Sequence, residues 1–276
     1  MPIGSQKAAI VHILPMIYQF FLSTDPGLSR DNNEDSVVFD ASSQLAVLAD
    51  GMGGYNAGEV ASGMATAFIK SEMSRWLSQA GKNANAREVR RALEICVDNA
   101  NRSIFNAANS NAQYSGMGTT LVVGVFQDQR LMLGHIGDSR CYRLRGQEFV
   151  QITKDHSLLQ EQMDAGLITP EQAATSLNKN LVTRALGVED VVMLETHEHR
   201  TEIGDLYLMC SDGLSDMVSD EDIAAIMVVD EDLETKAKAL VEAANAGGGR
   251  DNISVLLACA KEGSGKRGFM SRLLGK

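Results

Sequence analysis

Five acidic sites in this chain stand where strands should begin or end. Asp50 closes the apolar run Val47-Leu48-Ala49 and precedes a glycine. Asp212 follows Leu206–Cys210 and also precedes a glycine; Asp138 follows Leu131–Gly137. Asp251 stands just before the last apolar run, and Glu34-Asp35 just before the second. A carboxylate at the end of a buried strand is costly to desolvate unless it is capped, paired or metal-bound. A single example is ordinarily a turn or helix cap, but a series of five asks for a shared explanation. If these ends converge, they form an oxygen-only site of high negative charge, which suits Mg²⁺ or Mn²⁺. Carboxylates around two hard ions are a physical recipe for phosphate-ester hydrolysis. Such a pair lowers the pKa of a water, orients it in line and offsets phosphoryl charge, so no side-chain nucleophile is needed.

The rest of the chain must be able to hold such a site. Its 276 residues are enough for one large domain with a full core. Hydrophobic residues are 44% and charged residues 22%, which excludes collagen-like, coiled-coil and wholly disordered classes. The net charge of −11 disfavours duplex nucleic acid as the main ligand, because a phosphate backbone wants a positive face. Cys96, Cys141, Cys210 and Cys259 form no C-x-x-C pair and have mostly apolar neighbours. They read as buried free thiols in a reducing compartment, hence the cytoplasm, and not as a zinc knuckle or a disulfide framework. Ile10 to Leu22 is apolar except for His12 and Gln19, with Pro15 inside it. It is too short for a spanning helix; a signal peptide with Lys7 as its n-region is the alternative to a first strand, but the small-x-small cleavage pattern that should follow is poor. We expect an N-terminal segment and first strand over residues 1–23, and no stable membrane insertion. The tail, residues 261–276, is basic from Ser264 on and reads as a frayed terminus, with a short amphipathic partner- or membrane-contact segment as the alternative.

Positioning elements are legible between these points. Short strands are expected at Met16–Ser23, Ser36–Asp40 and Leu45–Asp50, then a glycine cluster at Gly51-Met52-Gly53-Gly54 that permits close approach of a ligand. Ala57–Ala80 and Ala86–Asn111 read as long helices; Val89, Leu93, Val97 and Ile104 recur at helical spacing. Strands are expected at Gly118–Phe126, Leu131–Ile136, Ser139–Arg143, Glu148–Ile152, Val191–His197, Asp205–Cys210 and Asn252–Ala260. Short helices fit His156–Ala165 and Pro170–Ser176, and longer ones fit Asp220–Val228 and Glu234–Ala246. Hairpins interrupted by helix pairs are not a βαβ alternation. They predict an α+β fold of two antiparallel sheets covered by helices.

Taken in order, several motifs resemble the metal-dependent protein serine/threonine phosphatases of the PP2C type (PPM family), in their compact bacterial form. These are Gly27-x-x-Arg30-x-x-x-Glu34-Asp35, Ala49-Asp50-Gly51-Met52-Gly53-Gly54, Gly116-x-Gly118-Thr119-Thr120 and Gly137-Asp138-Ser139-Arg140. Asp155-His156-Ser157, Thr183-Arg184-Ala185-Leu186-Gly187, Ser211-Asp212-Gly213-Leu214-Ser215-Asp216 and Gly249-Arg250-Asp251-Asn252 follow. The resemblance runs from about Thr24 to Ala260. It implies a four-layer α-β-β-α sandwich with a phosphatase domain over 24–260, including a flap at 156–183.

The resemblance also implies roles. Asp50 would bridge two metals, with the Gly51 carbonyl, Asp212 and Asp251 as further ligands. Glu34 would hold metal-bound waters, with Asp35 beside it, and Asp138 would share a third, weaker ion with Asp212. Arg30 would grip the substrate phosphate, a task its forked donors suit. Met52 stands where animal members carry a histidine proposed as general acid, and Met cannot transfer a proton. His156 reads first as a structural histidine in a turn and second as a group adjacent to the active site, and His12, His135, His197 and His199 as structural or surface residues. The implied partners are phosphorylated proteins, substrates of a Ser/Thr kinase, acted on by a monomer with Mn²⁺ or Mg²⁺. Two alternatives belong to the same reading: a phosphoprotein-binding module without activity, and a phosphatase for small-molecule or nucleotide phosphates.

Overall fold

Successive side chains of a strand point to opposite faces, so a strand buried on both sides reads as an unbroken apolar run. That is the case for the central strands of the computed structural model, which describes residues 16–53, 57–81, 84–174, 176 and 181–263. The segment before Met16, the rim positions Tyr55 and Asn56, part of the flap and the tail from Ser264 lie outside the described residues.

The described strands form two sheets. One runs β1 (Met16–Asp25), β11 (Ile253–Glu262), β10 (Leu206–Cys210), β7 (Arg140–Arg145), β8 (Glu148–Gln151). The other runs β2 (Asp35–Asp40), β3 (Leu45–Met52), β5 (Leu121–Gln127), β6 (Arg130–Ile136), β9 (Glu195–Arg200), with β4 (Gly118–Thr119) paired to the end of β3. The strand pairings are antiparallel.

From β3, Ala46 and Leu48 enter the layer between the sheets, where they join Leu256 and Ala258 of β11. Leu45, Val47 and Ala49 face the other way, onto α1 (Ala57–Ala80) and α2 (Ala86–Ser110). Ala57, Ala61 and Ala65 keep the contacting face of α1 small. The second helix pair, α6 (Asp220–Val228) and α7 (Leu233–Ala246), covers Tyr142, Leu208, Val255 and Leu257 on the outer face of the first sheet. The result is the expected α-β-β-α sandwich. Phe126 lies at its centre, its ring 4.7 Å from Tyr18 and 5.6 Å from Tyr207.

Helix ends follow from local chemistry. Asn85 and Glu88 make a reciprocal capping box at the start of α2. Ser219 and Asp232 cap α6 and α7, and buried Lys236 donates to the carbonyls of Met227 and Val229 where α6 ends. Two short helices, α3 (Leu158–Asp164) and α4 (Pro170–Ala174), follow β8.

Three local expectations are corrected. The strand expected over Gly118–Phe126 breaks at Thr120, whose side chain serves the end of β3. The strand expected at Val191–His197 lies at Glu195–Arg200; Val191 and Met193 are exposed, so their apolar character marked no strand. Beyond Ser211, where no helix was expected, the chain makes one helical turn, α5 (Asp212–Ser215), directly on the acidic residue.

Antiparallel pairing then gathers the acidic ends. β3 finishes where β2 starts, β6 finishes where β5 starts, and β10 finishes where β11 starts. Asp50, Asp35, Asp138, Asp212 and Asp251 therefore share one end of the sandwich.

Candidate active site

Hydrogen bonds with β4 and Thr120 fix the backbone of Asp50. Asp50 N donates to Thr120 Oγ1 (3.0 Å), and the Asp50 carbonyl accepts from Thr120 N (2.9 Å) and Thr119 Oγ1 (2.8 Å). Asp35 lies directly opposite Asp50 in the β2–β3 register. Ser211 Oγ donates to Asp35 Oδ2 (2.8 Å), while Asp35 Oδ1 is buried with no hydrogen-bond partner. Gly51 is needed for close approach: a Cβ there would stand 2.2 Å from Gly58 O and 2.5 Å from Glu34 O.

Asn252 links the two sheets at this end. Its Oδ1 accepts from Glu34 N (2.8 Å), and its Nδ2 donates to Pro26 O (3.0 Å) and Asn32 O (2.8 Å). This holds the loop that carries Arg30 against the start of β11. Arg30 Nη2 reaches Asp251 Oδ2 at 2.7 Å, and both side chains remain partly exposed.

The electrostatics show the carboxylates within range of one another. Burial raises Asp50 well above the usual carboxylate range, and the charges of Asp35, Asp212, Asp138 and Asp251 add to it. Asp212 is raised likewise, by burial and then by Asp138, Asp216, Asp251 and Asp35. Burial pushes Asp35 up to about 7, and Asp251 adds to the effect against hydrogen bonds that oppose it. Asp138 is pushed up to about 6, by burial and then by Asp155. Glu34 is raised by burial, with Arg30 opposing. Such a group must carry either protons or cations. The donor set is oxygen only, and the orphaned Asp35 oxygen is an unfilled acceptor, so a hard divalent cation fits it.

The acidic residues singled out by type and spacing, Glu34, Asp35, Asp50, Asp138, Asp212 and Asp251, lie at this end, and so do Arg30 and Gly51, which the resemblance implied. Beside them opens a cavity of about 310 Å³. Asp138, Asp212 and Asp216 line it, together with Leu159 and Met163 of α3 and Pro170 of α4. Arg140 and Asp155, which also line it, form an ion pair at 2.7 Å.

Sequence reasoning missed the supports. Asn252, Ser211 and Thr120 sit inside the quoted motifs, but hydrogen-bond partners distant in the chain leave no local signal. It also missed that His135, His156 and Glu195 meet behind Asp138. There the rings stack with centroids 4.7 Å apart and planes 16° from parallel, and His156 Nδ1 already accepts from Gly137 N (3.1 Å). Lone pairs in stacked ring planes run side by side, so hydrogen bonding accounts for this group better than a shared metal does.

Residues 28–250 match the sequence model of the family described as Protein phosphatase 2C. The chain belongs to the protein phosphatase 2C family. Among its relatives is the serine/threonine protein phosphatase PstP of Mycobacterium tuberculosis, 42% identical over 244 residues. That match takes in 88% of this chain but 45% of the relative, so the chain spans less than half of that protein's length. Protein phosphatase PhpP of Streptococcus pneumoniae is 39% identical over 244 residues, covering 87% of this chain and 97% of PhpP. The crystal structure of Mycobacterium tuberculosis PstP superimposes with a TM-score of 0.82 at 39% identity, covering 89% of this chain and 99% of that one. Another PstP catalytic-domain structure, described as a complex with 2 manganese ions, gives a TM-score of 0.77 at 39% identity over 89% and 99% of the two chains. The two-sheet protein phosphatase 2C sandwich is thus the fold of this chain.

Proposed function

We propose that this chain hydrolyses phosphoserine and phosphothreonine esters in proteins, using two core Mn²⁺ or Mg²⁺ ions. One observation carries the reading: antiparallel register brings Asp35, Asp50, Asp138, Asp212 and Asp251 to one end of the sandwich, where a buried Asp35 oxygen has no hydrogen-bond donor. The relatives' names, and the manganese in one solved relative, support it.

Asp50, the Gly51 carbonyl, Asp212 and Asp251 are the residues that would hold the pair of ions. Glu34 and Asp35 complete the negative shell, and Asp138 with Asp212 would hold a third ion. Such ions supply a water of lowered pKa and neutralise phosphoryl charge. Arg30 binds the substrate phosphate through its planar fork, from a loop that Asn252 fixes. Ser211 holds Asp35 in place from the neighbouring sheet. Met52 has no proton to give, so that position supplies no general acid.

We assign residues 24–260 to the phosphatase domain, with residues 156–183 as a flap over the cavity. The substrates are kinase-phosphorylated proteins, met by a monomer in the cytoplasm. Four free cysteines support the compartment, and no helix among the described residues is long and apolar enough to cross a membrane. The test is release of phosphate from phosphoserine and phosphothreonine peptides. Hydrolysis should require Mn²⁺ or Mg²⁺ and stop with EDTA. Equal turnover after every divalent ion is stripped, or nucleotide phosphates cleaved in preference to phosphopeptides, would refute the reading.

A further inference from the structure

We propose that His156 is a positioning residue that ties both stems of the flap to the turn carrying Asp138, through its Nδ1 contact with Gly137. The inference rests on the reading of Asp138 and the flap given above.

His156 N donates to Gly137 O (2.9 Å), and Gly137 N donates back to His156 Nδ1 (3.1 Å). The His156 carbonyl accepts from Thr183 N (2.8 Å). One residue on, Ser157 bridges Val182, and Leu158 N donates to Leu181 O (2.9 Å). The outgoing and returning ends of the flap thus form a short two-stranded stem, hooked to the sandwich at His156.

The anchor point is rigid. Gly137 has φ +98°, which favours glycine, and a Cβ there would stand 2.7 Å from Thr120 Cγ2. Thr120 in turn holds the backbone of Asp50. A shift at His156 is therefore felt at Asp138, which follows Gly137, and at the end of β3.

The ring cannot be replaced by a generic core residue. A backbone N–H only donates, so His156 Nδ1 must carry a lone pair and Nε2 the proton. Nε2 then donates to Glu195 Oε2 (3.1 Å), whose other oxygen takes His197 Nε2 (2.8 Å). His135 stacks on the ring and is itself held by the Lys154 carbonyl (2.8 Å). Burial lowers the pKa of His156, in keeping with the neutral tautomer.

The test pairs two substitutions. His156→Asn keeps an acceptor near the Nδ1 position, and His156→Gln reaches instead toward Glu195. Amide hydrogen exchange on the metal-free protein should speed up together at Gly137, Leu158 and Thr183 in His156→Gln, by about tenfold, and stay near wild type in His156→Asn. Phosphopeptide kcat should fall about tenfold in His156→Gln with KM less affected, and recover in His156→Asn. Equal behaviour of the two variants, or wild-type exchange at these amides in His156→Gln, would overturn the proposal. Should His156→Gln fail to fold, the wild-type protein decides. Its Gly137, Leu158 and Thr183 amides should exchange as one cooperative unit, and independent rates would count against the clamp. Absence of any phosphatase activity in wild type, with the exchange coupling intact, would refute the proposed function and leave the clamp standing.

Discussion

Asp35 and Asp50 face each other as a directly paired position between β2 and β3, the one with an oxygen that finds no donor and the other within reach of three further carboxylates, Asp138, Asp212 and Asp251. Like charges at such positions oppose pairing. The strands nevertheless pair along their length, because Val37, Val38, Val47 and Leu48 are packed into cores on either side. Core burial thus holds together a pair of acids that would otherwise separate.

That arrangement sets a pH dependence. Asp35 at about 7 and Asp138 at about 6 titrate above an unfolded aspartate, whose pKa is ~3.9. The folded chain therefore holds more protons than the unfolded chain across that window. Stability of the metal-free protein is fully present below the unfolded pKa and is lost as pH rises through the folded values. Thermal unfolding should show Tm falling from pH 5 to pH 8 without metal. Added Mn²⁺ should raise Tm more at pH 8 than at pH 6, since at the lower pH the ion must displace protons. A flat metal-free profile would contradict this.

Asp212→Asn separates stability from catalysis. It removes a buried carboxyl whose ionisation burial and then Asp138, Asp216, Asp251 and Asp35 oppose, and with it the cost of holding that group protonated at neutral pH. Metal-free Tm should rise, while phosphopeptide hydrolysis drops to background and Mn²⁺ no longer raises Tm as in wild type. A lowered metal-free Tm would mean that the carboxylate is held by favourable contacts instead.

Arg30 should matter for substrate and little for the fold. Its pair with Asp251 is at 2.7 Å but exposed on both sides, and such pairs contribute within about 1 kcal/mol. Arg30→Lys should leave Tm almost unchanged. Loss of a bidentate, charge-assisted contact worth about 1.5–3 kcal/mol should lower kcat/KM roughly 10- to 100-fold. Unchanged steady-state kinetics would remove Arg30 from the substrate site.

Asn252 is the opposite case. It is 5% exposed and satisfies Glu34 N, Pro26 O and Asn32 O at once. Asn252→Ala leaves those groups without their partner, a cost of about 1–3 kcal/mol per buried orphan. Denaturant unfolding should show reduced stability, with activity reduced alongside it through the loosened Arg30 loop. Wild-type stability would show that water replaces the side chain without cost.

Much of this molecule is visible in one dimension. β3, β5 and β11 announce themselves as apolar runs because both faces are buried, and α1 begins and ends where expected. β9 was misplaced because it lies at a sheet edge, where Glu195, Glu198 and Arg200 need no apolar alternation. The acidic residues were found because glycine or strand boundaries mark them. Asn252, Ser211 and His156 were given no positioning role because what they hold lies tens to hundreds of residues away.

Residue chemistry and spacing were enough to name the oxygen-rich donor set and the layered fold, since burial and periodicity are properties of neighbouring residues. Antiparallel registry across two sheets brought those donors to a common end and pressed their pKa values upward. It also seated His156 between the flap and Gly137. Proximity and desolvation depend on which distant segments meet, and that is a property of the folded chain alone.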